Sequence, residues 1–280
     1  MKITLITVCR NSASVIRTAL ESVLAQRGAG VEYLVIDGAS TDGTVEILRE
    51  YEAKFRALSS AEGTSSAVTF RFVSERDAGM YDAMNKGLAI ATGEVIGILN
   101  ADDVLASDMT LARIAEAFDA DASLDGTYAD IRFVRDGAGE VGSDARAAME
   151  AVRALPTSRY CSGRWFSPWQ FRFGVQTAHP STFFRASCFV RWGVYSLDYG
   201  MFGDFDLLLR FIWKNRARMR YLPFCTTVMR AGGASTNGWQ TTRKINATDL
   251  RVIRNNGYWS CMVLLYARYV FKVWGYVLRK

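Results

Sequence analysis

The sequence predicts an α/β fold in which a mostly parallel sheet is flanked by helices. Three observations predict it. Short apolar runs alternate with stretches of helical periodicity over the first hundred residues. The apolar runs are nearly continuous, as strands covered on both faces require. Each run ends in acidic or small residues, where a turn must begin.

The elements follow in order. Residues 3–8 form the first strand. Asn11-Ser12-Ala13-Ser14 then offers N-caps for a helix whose apolar positions are Val15, Ile16, Ala19, Leu20, Val23 and Leu24. Residues 31–36 are the second strand, ending in Asp37. The turn Gly38-Ala39-Ser40-Thr41-Asp42-Gly43-Thr44 leads into a helix over 45–51. A polar loop over 59–66 precedes a third strand over 68–73, a helix over 79–91 and a fourth strand over 94–99, closed by Asn100-Ala101-Asp102-Asp103. The second half is less regular. Residues 124–133 read as a strand pair or a bent strand, and 136–158 as a loop with a short alanine-rich helix. Aromatic residues crowd 160–173, a helix covers 203–213, and the last forty residues are helical with a break at Gly257.

Composition narrows the functional classes. Half of the 280 residues are hydrophobic and 4 are proline, which excludes a disordered chain. The 5 cysteines (Cys9, Cys161, Cys188, Cys225, Cys261) form no close pair, which argues against a disulfide framework or a structural zinc site and fits a reducing compartment. No secretory leader and no apolar run of about 18 residues is found, so the expected location is cytoplasmic. A net charge of +6, concentrated toward the C-terminus, suits a phosphate-rich small molecule or an anionic surface. A single histidine excludes histidine-rich zinc catalysis, and no Gly-x-Ser-x-Gly, Gly-x-Gly-x-x-Gly or P-loop is present.

Ligands of such sheets bind at the carboxyl ends of the strands. Thr7, Val8 and Asn11 stand at the end of the first strand, Asp37 at the second, Asp77 past the third, and Asp102 and Asp103 at the fourth. Adjacent carboxylates there can hold a divalent cation, which can hold a diphosphate; the plainer reading is acids at a helix start. Asp37 can accept hydrogen bonds from a base or ribose, whereas capping alone does not need its charge. Asp82 and Lys86 stand four apart, the spacing of an ordinary helical ion pair. Asp204 and Asp206 open an apolar helix; one can cap it, and a carboxylate beside a pocket also suits a general base. His179 reads as a structural or substrate-contacting residue. Trp165 and Trp169 offer a wall on which a sugar can stack, or ordinary lid packing.

In this order the segments resemble family 2 glycosyltransferases of the GT-A fold, nearest to bacterial enzymes that build surface polysaccharide or glycolipid. The matching runs are Ile6-Thr7-Val8-Cys9-Arg10-Asn11, residues 35–44, residues 74–87, Leu99-Asn100-Ala101-Asp102-Asp103, His179-Pro180-Ser181, residues 204–210 and Gly232-Gly233-Ala234-Ser235-Thr236. Two departures stand out: many relatives carry Asp where Gly38 stands, and Asn100 occupies the first position of the Asp-x-Asp metal motif.

The resemblance implies an inverting, metal-dependent transferase that moves a sugar from a nucleoside diphosphate donor to a glycan or lipid-linked acceptor. Thr7, Val8, Asn11, Asp37, Asp77, Lys86 and Asp102 would bind the nucleotide-sugar. Asp102 and Asp103 would hold Mn2+ or Mg2+, and Asp204, with Asp206 in reserve, would be the base. His179, Trp165 and Trp169 would face the acceptor. The implied organisation is a GT-A domain over 1–240, with a nucleotide-sugar half (1–104) and an acceptor half (105–240), then a helical tail over 241–280. The competing readings are a nucleotidyltransferase, which lacks its basic glycine-rich loop here, and a non-catalytic nucleotide-sugar-binding scaffold. In the tail, Arg254, Arg268, Lys272 and Arg279 fall near one helical face. That pattern predicts amphipathic helices touching the inner face of the cell membrane through 255–280, or else packed on the domain. Nucleic acid is not an expected partner.

Overall fold

The computed structural model describes residues 1–59, 68–135, 144–230 and 238–277. Most of the polar loop (60–66), the segment 136–143, the Gly232-Gly233-Ala234-Ser235-Thr236 run, the Lys272 side chain, Arg279 and Lys280 lie outside the described residues.

The first half follows the expected alternation. Strands β1 (Lys2–Cys9), β2 (Gly30–Asp37), β3 (Val68–Ser74) and β4 (Val95–Ile98) are linked by helices α1 (Ile16–Leu24), α2 (Thr44–Ser59) and α3 (Met80–Ile90). The order β3-β2-β1-β4 is parallel throughout. Continuous apolar runs form these strands because helices cover both faces. Ile3, Leu5 and Val35 face α1 and α2 on one side, and Ile6, Leu34 and Ile36 face α3 on the other.

The chain then widens the same sheet with β5 (Val104–Leu105), helix α4 (Thr110–Asp119), β6 (Gly126–Val134), helix α5 (Ala145–Ala154) and β7 (Thr157–Cys161). After β8 (Thr182–Arg185) come helices α6 (Ala186–Trp192) and α7 (Gly203–Leu208), whose last turn widens into a π-helix over 209–214, and then β9 (Met219–Arg230). The full order is β3-β2-β1-β4-β8-β6-β9-β5, with β7 paired to β6. One sheet therefore runs across the expected division at residue 104. Residues 124–133 contain one strand, β6, which pairs with β9 through two register irregularities and so behaves as the bent strand.

Helix α8 (Gly238–Asn255) stops at Gly257, where φ is +84°, and α9 (Met262–Val277) follows. Here the expected cationic face is corrected at Arg268. Its side chain is buried, lies 2.8 Å from Asp249 and also donates to Asn246 and the Gly174 carbonyl. Leu265 is buried with it, so this stretch of α9 packs on the domain, and a buried paired guanidinium cannot reach a headgroup. No helix among the described residues is long and apolar enough to cross a membrane.

Candidate active site

The carboxyl edge of the parallel strands carries three groups of acids. The first centres on Asp37, which is fully buried. Its carboxylate accepts from Ser40 N (3.0 Å), the Ser40 hydroxyl, Ser74 Oγ (2.7 Å) and Cys9 Sγ (3.6 Å). Burial and the charge of Asp37 push the Cys9 thiol far up, so it stays a donor. Asn11 joins the loops after β1 and β2: its amide donates to Ser40 Oγ (2.7 Å) and its Oδ1 accepts from Thr41 N (3.0 Å). Its φ of +51° is one that asparagine tolerates better than most residues. Asp77, half-buried, accepts from Gly79 N at 2.9 Å and sits over Gly38. A Cβ added at Gly38 would lie 2.5 Å from Asp77 Oδ2, so a larger residue there would make the Asp77 carboxylate shift.

Two further residues expected at the nucleotide have partners within the protein. Thr7 is fully buried, donates to the Leu99 carbonyl (2.8 Å) and meets Tyr33 Oη (3.0 Å), because strand alternation puts it on the α1 and α2 face with Ile3 and Leu5. Its neighbour Val8 is only half-buried at the edge. The Lys86 ammonium is committed to Glu75 (2.8 Å), the Arg76 carbonyl (2.7 Å) and Asp82 (3.6 Å), and the Glu75 hydrogen bond raises its pKa.

The second group follows β4. Asp103 is buried, accepts from Asn100 Nδ2 at 2.8 Å, and is held well above its ordinary pKa by burial and by the neighbouring Asp102 charge. Asn100 thus acts as a donor to Asp103, whose carboxyl is buried against it. Asp102 is half-buried, and its carboxylate accepts no hydrogen bond from a described residue. Among the described residues no three His, Cys, Asp or Glu side chains gather as a metal cage. One unspent carboxylate fits a cation that takes its other oxygens from a bound diphosphate and water.

The third group lies across the edge. Strand β8 runs antiparallel to β4, so the residues before it, His179 to Ser181, stand where β4 ends. Helix α7 starts against α3 because Gly203 lets the Tyr81 ring approach; a Cβ there would be 2.9 Å from it. Asp204 is half-buried and held at both oxygens. Tyr81 Oη lies 3.0 Å from Oδ1, and Gln176 Nε2 donates to Oδ2 at 3.0 Å. Tyr195 stacks on Tyr81 with ring centroids 5.4 Å apart, and His179 Nε2 is 2.7 Å from Tyr195 Oη. Burial and the Asp204 charge push both phenols up, so they remain protonated donors, while burial lowers the His179 pKa and favours neutral imidazole.

Asp206 is placed differently. It is buried, forms a 2.7 Å ion pair with Arg210 Nε and accepts from Asn256 Nδ2 (3.1 Å). The aromatic patch also divides. Phe171 is fully buried and Phe166 packs on it, whereas Trp165 is 79% and Trp169 55% exposed. Tyr81, Gln176 and Tyr195 were missed by sequence reasoning. Tyr81 lies in the run 74–87 already singled out, and Gln176 stands three residues before His179, but nothing in the sequence marks either as a partner of Asp204.

A parallel sheet with acids gathered on its carboxyl edge, extended by a mixed half that returns His179 and Asp204 to that edge, is the GT-A architecture of glycosyltransferases. The pattern of glycosyl transferase family 2 matches residues 4–189, and the chain belongs to that family. It is 28% identical over 211 residues to an uncharacterized glycosyltransferase of Mycobacterium tuberculosis, covering 74% of this chain and 68% of the relative. It is also 28% identical to a PGL/p-HBAD biosynthesis glycosyltransferase of Mycobacterium bovis, covering 71% and 65%. Among solved structures, the mannosyltransferase PcManGT of Pyrobaculum calidifontis, in complex with GDP-Man and Mn2+, superposes with a TM-score of 0.64 at 20% identity, covering 95% of this chain and 68% of that one. TarS of S. aureus with UDP-GlcNAc gives 0.58 at 18% identity, covering 89% and 67%. The chain spans about two thirds of the length of these relatives.

Proposed function

We propose that this glycosyltransferase moves a sugar from a nucleoside diphosphate sugar to a hydroxyl of a glycan or lipid-linked acceptor, with inversion at the anomeric carbon. The observation that carries the reading is Asp204, a half-buried carboxylate aimed by Tyr81 and Gln176 on the edge that also presents Asp102. Such a carboxylate takes the proton of the acceptor hydroxyl as its oxygen bonds to the anomeric carbon. The bond from that carbon to the diphosphate breaks in the same step, and the nucleoside diphosphate leaves with the electron pair. Two donors to the carboxylate fix its direction and leave a lone pair for the incoming proton. The nucleotide loops are set by Asp37 and Asn11, with Asp77 and Val8 at their rim. Asp102 would hold a divalent cation shared with the diphosphate, and that cation, when bound, would neutralise charge on the leaving group. Trp165 and Trp169 remain exposed faces for an acceptor sugar.

The test is a thermal-shift screen of nucleotide sugars with and without Mn2+, followed by transfer assays on the donor that stabilises. Asp204→Asn should lower turnover by about a thousandfold while donor stabilisation persists. Retained turnover in that variant defeats the assignment.

A further inference from the structure

An open cleft of about 230 Å3 lies beside the candidate base, between the start of α3 and the loop that leads to α7. Gly79, Met80, Tyr81, Leu197, Gly200 and Met201 line it. Tyr81 belongs to both places: its ring forms a wall, and its hydroxyl reaches Asp204 (3.0 Å) and the Met201 carbonyl (3.1 Å). Whatever presents a hydroxyl to Asp204 therefore has this cleft as its neighbour.

The chemistry of the cleft is apolar. Met80, Leu197 and Met201 are 41%, 52% and 52% exposed. Single exposed apolar side chains are ordinary; three converging on one concave surface are not. The one carboxylate at the rim, Asp82, is committed to Ala78 N (2.9 Å) and Lys86. A sugar ring there would find few hydrogen-bond partners to replace its water.

The wall is also built in advance. Asn85 exchanges two hydrogen bonds with the Tyr195 backbone (2.9 and 3.0 Å), Arg210 donates to the Trp192 and Val194 carbonyls (2.6 and 2.7 Å), and Arg251 donates to the Asp198 carbonyl (2.7 Å). Three side chains hold this loop with its apolar residues outward, so their exposure is a property of the fold.

We propose that the acceptor carries an alkyl aglycone, which lies in this cleft while its sugar hydroxyl faces Asp204. The proposal rests on the reading of Asp204 as the base and selects the lipid-linked class of acceptor. Flexible thioethers suit a chain without fixed shape, and the shared Tyr81 couples its seating to the geometry of the base.

The experiment uses the full chain with 13C-methyl methionine, titrated with n-octyl β-D-glucopyranoside below its micelle concentration and, separately, with methyl β-D-glucopyranoside. The Met80 and Met201 signals are assigned from Met80→Leu and Met201→Leu. Octyl glucoside should move both signals saturably, and methyl glucoside should not. Met109, 45% exposed at the start of α4 and absent from the cleft's lining, should stay still. Leu197→Ser should weaken the octyl effect about tenfold. Absence of a saturable shift, equal movement at Met109, equal response to both glucosides, or a shift that follows protein concentration alone (a second copy in the cleft) each overturns the proposal. The donor screen is read separately. A donor response without an octyl response removes only the alkyl aglycone. An octyl response with no donor in the panel overturns the assignment of the cleft to an acceptor.

Discussion

In the turn after β4, Asp103 is folded inward onto Asn100 and Asp102 is left at the crevice; in the first turn of α7, Asp206 is folded inward onto Arg210 and Asp204 is left there. The two regions reach the same division by different geometry. After β4 the acids are adjacent, and a tight turn, with Asp103 N donating to the Asn100 carbonyl at 3.2 Å, sends them apart. On α7 they are two residues apart, and about 200° of helical rotation separates them. The inward acid of each pair holds backbone: Asp103 lies against the Arg230 amide at the end of β9, and Asp206 aims the Arg210 fork at the loop that walls the apolar cleft. One member of each pair is tied into the scaffold, and the other stays half-buried at the edge, Asp102 without a described donor and Asp204 aimed by Tyr81 and Gln176.

Substitution should break the second pair most visibly. Asp206→Ala leaves the mostly buried Arg210 guanidinium unpaired and should cost about 3 kcal/mol, read as a lowered midpoint in urea, where Asp204→Asn changes stability little. Equal midpoints for the two variants would erase the distinction. The first pair should separate by ligand response. Asp102→Asn should abolish the extra thermal stabilisation that Mn2+ gives a bound nucleoside diphosphate. Asp103→Asn, nearly isosteric with the protonated acid that burial favours, should keep it and cost about 1 kcal/mol. Loss in both variants would return Asp103 to the cation.

The smallest effect concerns pH. His179 has its pKa lowered by burial, so the unfolded chain binds a proton that the folded chain refuses. Stability is therefore full above the ordinary value near 6.5 and falls as the pH drops below it. His179→Gln should flatten that part of the urea stability profile. An unchanged profile would show that the Tyr195 contact does not depend on neutral imidazole.

Much of this was legible beforehand. The strand and helix alternation of the first hundred residues is local, since a strand buried on both faces must be apolar throughout, and β1 to β4 lie where the pattern puts them. Asp102 and Asp204 were readable as acids at an element's edge. The partners of Thr7, Lys86 and Arg268 were not legible for one common reason: a polar residue in a motif or on a helical face carries no mark of which neighbour will take its hydrogen bond. Leu99, Glu75 and Asp249 were those neighbours. The second half was less legible because β8, β6 and β9 pair with strands distant in sequence, and burial there depends on partners no local window contains.

The sequence by itself determined the parallel half of the sheet, the edge on which the acids collect and the family, because each rests on short-range periodicity or on motifs in order. Only the tertiary structure decided which acid of each pair is buried, that Tyr81 and Gln176 aim Asp204, and that Met80 meets Leu197 and Met201 in one cleft. Tyr81 meets Asp204, and Met80 meets Met201, over more than a hundred residues, whereas the bonds of Asp103 to Asn100 and Asp206 to Arg210 are short-range ones that become buried only when the fold packs around them.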